Sequence, residues 1–161
     1  MNIWRCNNWK VYYNDVNNLH RKGLRFKFDS GISSDVKSVC KDFGKWLRQE
    51  FVFPIRLPIY VKNTETIIAK DGESVYGTFS FSDNREFEPY IRIAVGDYQI
   101  EQEKIGRSRA MTTILLQIAH EITHYYQWIN GYDLSEGKAE TQAVKYSLKI
   151  KNEYAMTREQ P

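Results

Sequence analysis

The chain is short of several things, and each shortage narrows what it can be. No apolar run approaches the ~20 residues that a membrane-spanning helix needs, and the opening MNIWRCNNWKVYYN holds no apolar stretch behind a basic patch, as a secretory leader would. A cytoplasmic location without a membrane partner is therefore expected. Two cysteines, Cys6 and Cys40, are too few for a disulfide scaffold and fit no zinc-finger spacing, so two reduced structural thiols are expected. Charge of one sign is lacking as well: 23 Lys and Arg against 20 Asp and Glu leave a net charge of +3. The signs are mixed along most of the chain, which gives no electrostatic case for nucleic acid or an anionic membrane. Four prolines and nine glycines form no linker-like tract, and there is neither an internal repeat nor a low-complexity segment. Histidine is scarce, with three residues in the whole chain.

What remains is an ordinary folding chain, 42% hydrophobic and 27% charged over 161 residues. That length suits one domain with a core and is too short for two comfortable ones. A single domain over 1–161 is expected, sheet-rich over about 1–100 and helical over about 108–154. In LRFKFDS, Leu24, Phe26 and Phe28 alternate with Arg25, Lys27 and Asp29, the pattern of a half-buried strand. SSDVKSVCKDFGKWLRQEF follows with cap-type serines and a helical face of Val36, Val39, Cys40, Phe43 and Leu47. IRLPIYV from Ile55, SVYGTFSF from Ser74 and YIRIAV from Tyr90 read as strands, with ETIIA as another strand or a connection. SDNREFEP has turn chemistry, so a hairpin joins the last two. Pro58 and Gly77 suit a central strand poorly, which predicts that at least one of those strands lies at or near an edge.

The second half has helical periodicity. Behind Ser108 as a plausible N-cap, Met111, Ile114, Leu115, Ile118, Ile122, Tyr125 and Ile129 keep a 3.6-residue spacing until NGY, where Gly131 suits the left-handed C-terminal position. A second helix is expected from DLSE, where Asp133 and Glu136 have capping-box spacing, through Ala139, Ala143, Tyr146 and Ile150. Lys145, Lys149 and Lys151 complement its C-terminal dipole. After Met156 a frayed tail is expected.

On the first of these helices lies HEITHYYQ, with two of the three histidines. Residues four apart share a helix face, so the imidazoles of His120 and His124 can converge on one ion. Glu121 lies about 100° round the helix, close enough to reach a water on the metal without ligating it, which is the place of a general base. With roughly 2% His and 6% Glu the pattern arises by chance in under about 1% of chains this long, so chelation is favoured over coincidence. The apolar face formed by Ile114, Leu115, Ile118 and Ile122 would hold the histidine face rigid.

An open zinc site needs a third protein ligand. His20 lies far upstream in a polar segment, where a surface role accounts for it. SEGKAETQAVKYS on the next helix offers Glu136 and Glu140, and the short turn between the helices predicts that they pack together. A capping role explains Glu136. Glu140, flanked by Ala139 and Ala143, is preferred as ligand over Glu136, Asp133 or no third ligand at all.

HEITH followed by Glu140 in AETQA resembles the gluzincin branch of the zincin metallopeptidases, over roughly residues 108–152. The order helix, strands, HExxH helix and glutamate helix is similar to the minimal zincin core of small intracellular members. The resemblance implies an α+β, zincin-like fold: an N-terminal helix on a small, twisted, mostly antiparallel-edged sheet of three to five strands, then the HExxH helix and a Glu-bearing C-terminal helix. It implies one Zn2+ ion held by His120, His124 and Glu140. It also implies peptide-bond hydrolysis by a zinc-activated water, with Glu121 as general base and proton shuttle. Peptide or protein substrate would lie along an edge strand, by position Ser74 to Phe81, where Gly77 fits the close approach of another backbone. The family's aspartate four residues after the ligand glutamate is Val144 here, so histidine orientation must come from another carboxylate or a backbone carbonyl. Family members stabilise the oxyanion with a Tyr or His. Of Tyr125, Tyr126, Tyr132 and Tyr146, the first candidates are Tyr132 and Tyr146.

Three rival readings have distinct signatures. A non-catalytic zinc-binding regulatory or interaction module would close the site with a fourth protein ligand. A deformylase-like hydrolase would recruit a cysteine, and Cys40 is the one available. A DNA-associated protease would show a basic and aromatic stripe, which is not present.

Overall fold

The computed structural model describes residues 2–13, 21–84, 86–135 and 137–159. His20 and Glu136 lie outside the described residues. A 3-10 turn (Ile3–Arg5) and a one-turn helix α1 (Trp9–Tyr12) lead to strand β1 (Leu24–Phe28), helix α2 (Ser34–Glu50) and strand β2 (Leu57–Lys62). Then come β3 (Ile67–Ile68), β4 (Ser74–Val75), β5 (Gly77–Ser80) and β6 (Tyr90–Ala94), and the helices α3 (Tyr98–Ile105), α4 (Arg107–Ile129) and α5 (Gly137–Glu159). The class is α+β, and among the described residues no helix is long and apolar enough to cross a membrane.

β1, β2, β6 and β5 form one mixed sheet in that order. β1 to β2 and β2 to β6 are parallel, while β5 pairs antiparallel with β6 and forms one edge. The expected antiparallel edge is present, but the body of the sheet is parallel. Parallel neighbours need a crossover, and α2 supplies it between β1 and β2. Its start is fixed by Ser33, whose hydroxyl accepts from the Val36 amide at 3.2 Å. Gly77 does sit on the edge strand, whereas Pro58 is in central β2. The β2–β6 register begins only at Ile59 opposite Ile91, so the proline lies outside that ladder. SVYGTFSF divides in two: β4 pairs with β3 in a small antiparallel ribbon, and β5 joins the main sheet.

One helix and two helix boundaries differ from expectation. α3 is an additional helix, and of its residues Tyr98 alone is buried, so no apolar periodicity announces it. α4 begins at Arg107 behind Gly106, and Ser108 makes no cap. α5 begins at Gly137 because the Asp133 carboxylate is engaged locally, accepting from the Ser135 amide at 2.9 Å and hydroxyl at 2.6 Å.

Buried residues of the N-terminal turn, α2, the sheet, α4 and α5 form one continuous cluster. Ile118, Ile122, Tyr125 and Ile129 of α4 are fully buried, each such side chain stabilising by roughly 1.5–3 kcal/mol. On α5, Ala143 and Ile150 are fully buried and Tyr154 packs tilted against Phe43, ring centroids 4.9 Å apart. α4 is thus held against the sheet by its apolar face, and α5 packs on α4 and, through Tyr154, on α2.

Candidate metal centre

Polar ties fix α4 in rotation as well as position. The Tyr125 hydroxyl donates to the Ile55 carbonyl at 2.6 Å and accepts from the Ile55 amide at 3.1 Å. The Tyr126 hydroxyl donates to Val52 at 2.8 Å, and the Trp4 indole donates to Thr123 at 2.9 Å. With these residues facing the core, Gln117, His120, Glu121 and His124 form a stripe along a cleft of about 580 Å³, whose opposite wall is β5. A stripe spaced i, i+3, i+4, i+7 is one helix face.

α4 stops in a Schellman turn, the Tyr132 amide donating to Gln127 at 2.9 Å and the Gly131 amide to Trp128 at 3.1 Å. The short connection folds α5 back along α4 and brings Glu140 to the histidines. Its two carboxylate oxygens divide between them: Oε2 lies 3.1 Å from His120 Nε2 and Oε1 lies 2.9 Å from His124 Nε2. All three ligating atoms fall within 4.8 Å of one another, and the rings are nearly perpendicular at 81°. Ligands at zinc-like bond lengths on tetrahedral corners stand about 3.3 Å apart, so small adjustments would let this group hold an ion.

Gln127 determines which nitrogen of His124 is free. Its Nε2 donates to the Ala139 carbonyl at 3.0 Å and to Gln142 Oε1 at 2.8 Å. A carbonyl can only accept, so the amide nitrogen must face Ala139 and the amide oxygen must face His124 Nδ1, 2.8 Å away. That nitrogen then carries the proton, and a neutral His124 presents a lone pair at Nε2. The lone pair faces a carboxylate oxygen at 2.9 Å, a contact that is favourable only with a cation, proton or metal ion, between the two. The expectation that a carboxylate or backbone carbonyl orients the histidine is corrected here: a side-chain amide does so, and Val144 is exposed.

Glu121 is buried, and Gln117 Nε2 donates to its Oε1 at 3.0 Å. Burial pushes its carboxyl up to about 8, with the Glu140 carboxylate adding to the rise and the Gln117 hydrogen bond opposing it. Burial and the neighbouring His124 hold His120 below its ordinary value against the pull of Glu140, which keeps the ring neutral, as a ligand must be. Gly77 makes the Gln117 position available. A Cβ there would come within 2.8 Å of Gln117 Nε2 and 2.9 Å of its Cγ.

Of the other candidates, Tyr125 and Tyr126 are core residues. Tyr146 is buried and Tyr132 is 37% exposed, and neither lines the cleft; the tyrosine that does is Tyr76. Cys40 lies fully buried on α2, its thiol pushed up to about 12 by burial, and stands outside the ligating group. Asp133 is occupied with Ser135. Sequence reasoning missed Gln117, Gln127 and Tyr76. The glutamines carried a usable signal, since Gln117 stands four residues before Glu121 and Gln127 three after His124, both helical neighbours.

In comparisons with known proteins, no family model and no curated protein matches the chain.

Proposed function

We propose that the chain is a metal-dependent hydrolase. Within that class, the reading best supported is a zinc peptidase of gluzincin type on a zincin-like fold, with His120, His124 and Glu140 as ligands and Glu121 as general base. The single observation that carries it is the Gln127-oriented His124, whose Nε2 lone pair is aimed at the Glu140 carboxylate. Three donors of this kind are what a catalytic zinc site uses, and no fourth ligating side chain joins the group among the described residues. That argues for an open position and against a closed structural site.

When bound, zinc would polarise the scissile carbonyl and lower the pKa of the attacking water toward about 7. The chain's own residues supply the rest. Gln117 holds one Glu121 oxygen and leaves the other to take the water's proton and deliver it to the leaving amine. A nearby dication would favour the carboxylate form of this buried group. The open side of β5, Gly77–Ser80, runs along the cleft and offers main-chain hydrogen bonds to an extended peptide. Tyr76 is the tyrosine beside the cleft that fits oxyanion stabilisation.

The test is a peptide-library digest by zinc-loaded protein, read by mass spectrometry, with a metal assay alongside. Glu121→Gln should bind one zinc per chain and lose turnover by 100-fold or more, on the order of a lost general base. Cleavage by that variant at the parent rate would refute the mechanism, and failure of the parent to bind zinc would refute the metal centre.

A further inference from the structure

A second concavity adjoins the metal cleft. Between α3, β6 and the first turns of α4 lies a cavity of about 270 Å³. Tyr76 and Gln117 wall both this cavity and the cleft, so a chain lying along β5 would pass its mouth. It is smaller than the roughly 300–1,000 Å³ typical of whole-ligand pockets, a size suited to one side chain.

Its chemistry is divided. Ile93, Ala110 and Ile114 give an apolar floor. On the α3 side stand Asp97 and Glu101, both half-buried and four residues apart. Neither carboxylate has a hydrogen-bond or ion-pair partner among the described residues. A carboxylate in partly desolvated surroundings gains from a cation beside it. An aliphatic side chain would fill the floor and leave both carboxylates unmatched, and an acidic one would be repelled. Lysine and arginine combine an apolar stem with a cationic end and match both halves.

We propose that this cavity is a subsite for a lysine or arginine side chain of the polypeptide substrate. The proposal rests on the peptidase reading, and it adds a side of the cut. A peptide antiparallel to β5 would run its C-terminal part toward Gly77 and Tyr76, so the basic residue follows the scissile bond.

The experiment uses the full zinc-loaded chain, the peptide library, and a matched pair of peptides carrying lysine or norleucine at the position facing the cavity. Basic residues should be enriched after the cleaved bond, and kcat/KM should favour lysine by about tenfold, the order expected of charge-assisted hydrogen bonds. In the double variant Asp97→Asn, Glu101→Gln that ratio should fall to near one. Cleavage without basic enrichment, or a ratio the double variant does not change, overturns the subsite and leaves the peptidase reading intact. If nothing is cleaved the peptidase reading fails, and the subsite is then judged by anisotropy of the same two peptides, fluorescently labelled, on zinc-loaded Glu121→Gln protein. A lysine preference that vanishes when Asp97 and Glu101 are also neutralised supports the subsite, whereas equal binding, or none, overturns it.

Discussion

Replacing Gln127 by alanine removes three hydrogen bonds at once: one from His124 Nδ1–H, one to the Ala139 carbonyl and one to Gln142. The first orients the proposed ligand His124, and the other two tie α4 to α5. Loss of a partner that orients a metal-bound histidine typically costs 10–100-fold in metal affinity, about 1.4–2.8 kcal/mol. Losing the two bonds that tie α4 to Ala139 and Gln142 costs a further ~0.5–1.5 kcal/mol of stability for each in the absence of metal. Zinc affinity can be read by competition with a chromophoric chelator, and stability by denaturant unfolding of the metal-free protein. Gln127→Glu separates the two effects. A carboxylate still accepts from Nδ1–H, so zinc affinity should stay within a few-fold of the parent, while the lost donation to Ala139 should lower stability. If Gln127→Ala binds zinc within threefold of the parent, the orientation argument fails. If Gln127→Glu loses as much affinity as Gln127→Ala, the effect belongs to helix packing and not to the histidine.

Gly77→Ala should displace Gln117 from Glu121, because the new Cβ would lie 2.9 Å from Gln117 Cγ and 3.0 Å from Ile93 Cδ1. The expected loss is about 10–100-fold in kcat with the zinc stoichiometry kept, and an unchanged kcat would show that this close approach is immaterial. Alkaline pH should destabilise the fold. The Cys40 thiol is pushed up to about 12, and burial raises the Tyr125 and Tyr126 hydroxyls as well. Above about pH 9 the unfolded chain releases these protons before the folded one does, so the native state binds more of them and stability falls by up to ~1.4 kcal/mol per pH unit for each group. Denaturant midpoints that stay flat from pH 8 to pH 11 would contradict this, and Cys40→Ala should make the decline shallower.

How far the structure could be read from the sequence depends on how local each feature is. The HExxH helix was legible because its apolar residues and its histidines repeat on opposite faces of one 3.6-residue period. The placement of Glu140 beside the histidines was legible because a short turn forces two helices together and Ala139 and Ala143 permit close approach. The parallel pairing of β1, β2 and β6 was not, since it joins segments far apart in the chain, and strands covered on both faces lose the alternation that marks them. In β2 all but Tyr60 and Lys62 are buried. α3 was missed for the opposite reason, having almost no apolar face. Gln127 was overlooked because an amide has no formal charge to mark it as a partner for histidine. Its role follows only from which acceptors surround it.

The helix-stop signal at NGY and the candidate metal site are one unit. The Gln127 backbone carbonyl accepts the Tyr132 amide in the Schellman turn, and the same residue's side chain bridges His124 and Ala139. A disturbance of the turn should therefore reach the proposed ligands. Gly131 has φ +81°, and a Cβ there would stand 2.5 Å from the Tyr12 hydroxyl and 3.0 Å from Tyr12 Cζ. Gly131→Ala faces a left-handed backbone that costs alanine roughly 1–2 kcal/mol and a clash with α1. If the turn relaxes to avoid both, Glu140 shifts relative to His120 and His124, and zinc affinity should fall about tenfold together with stability. Gly131→Asn keeps the tolerance for positive φ but not the space, so it should recover only part of the loss. Adding Tyr12→Ala to Gly131→Asn opens that space, and zinc affinity should then return further toward the parent value. Recovery of stability without recovery of affinity would break the link between the turn and the proposed metal ligands.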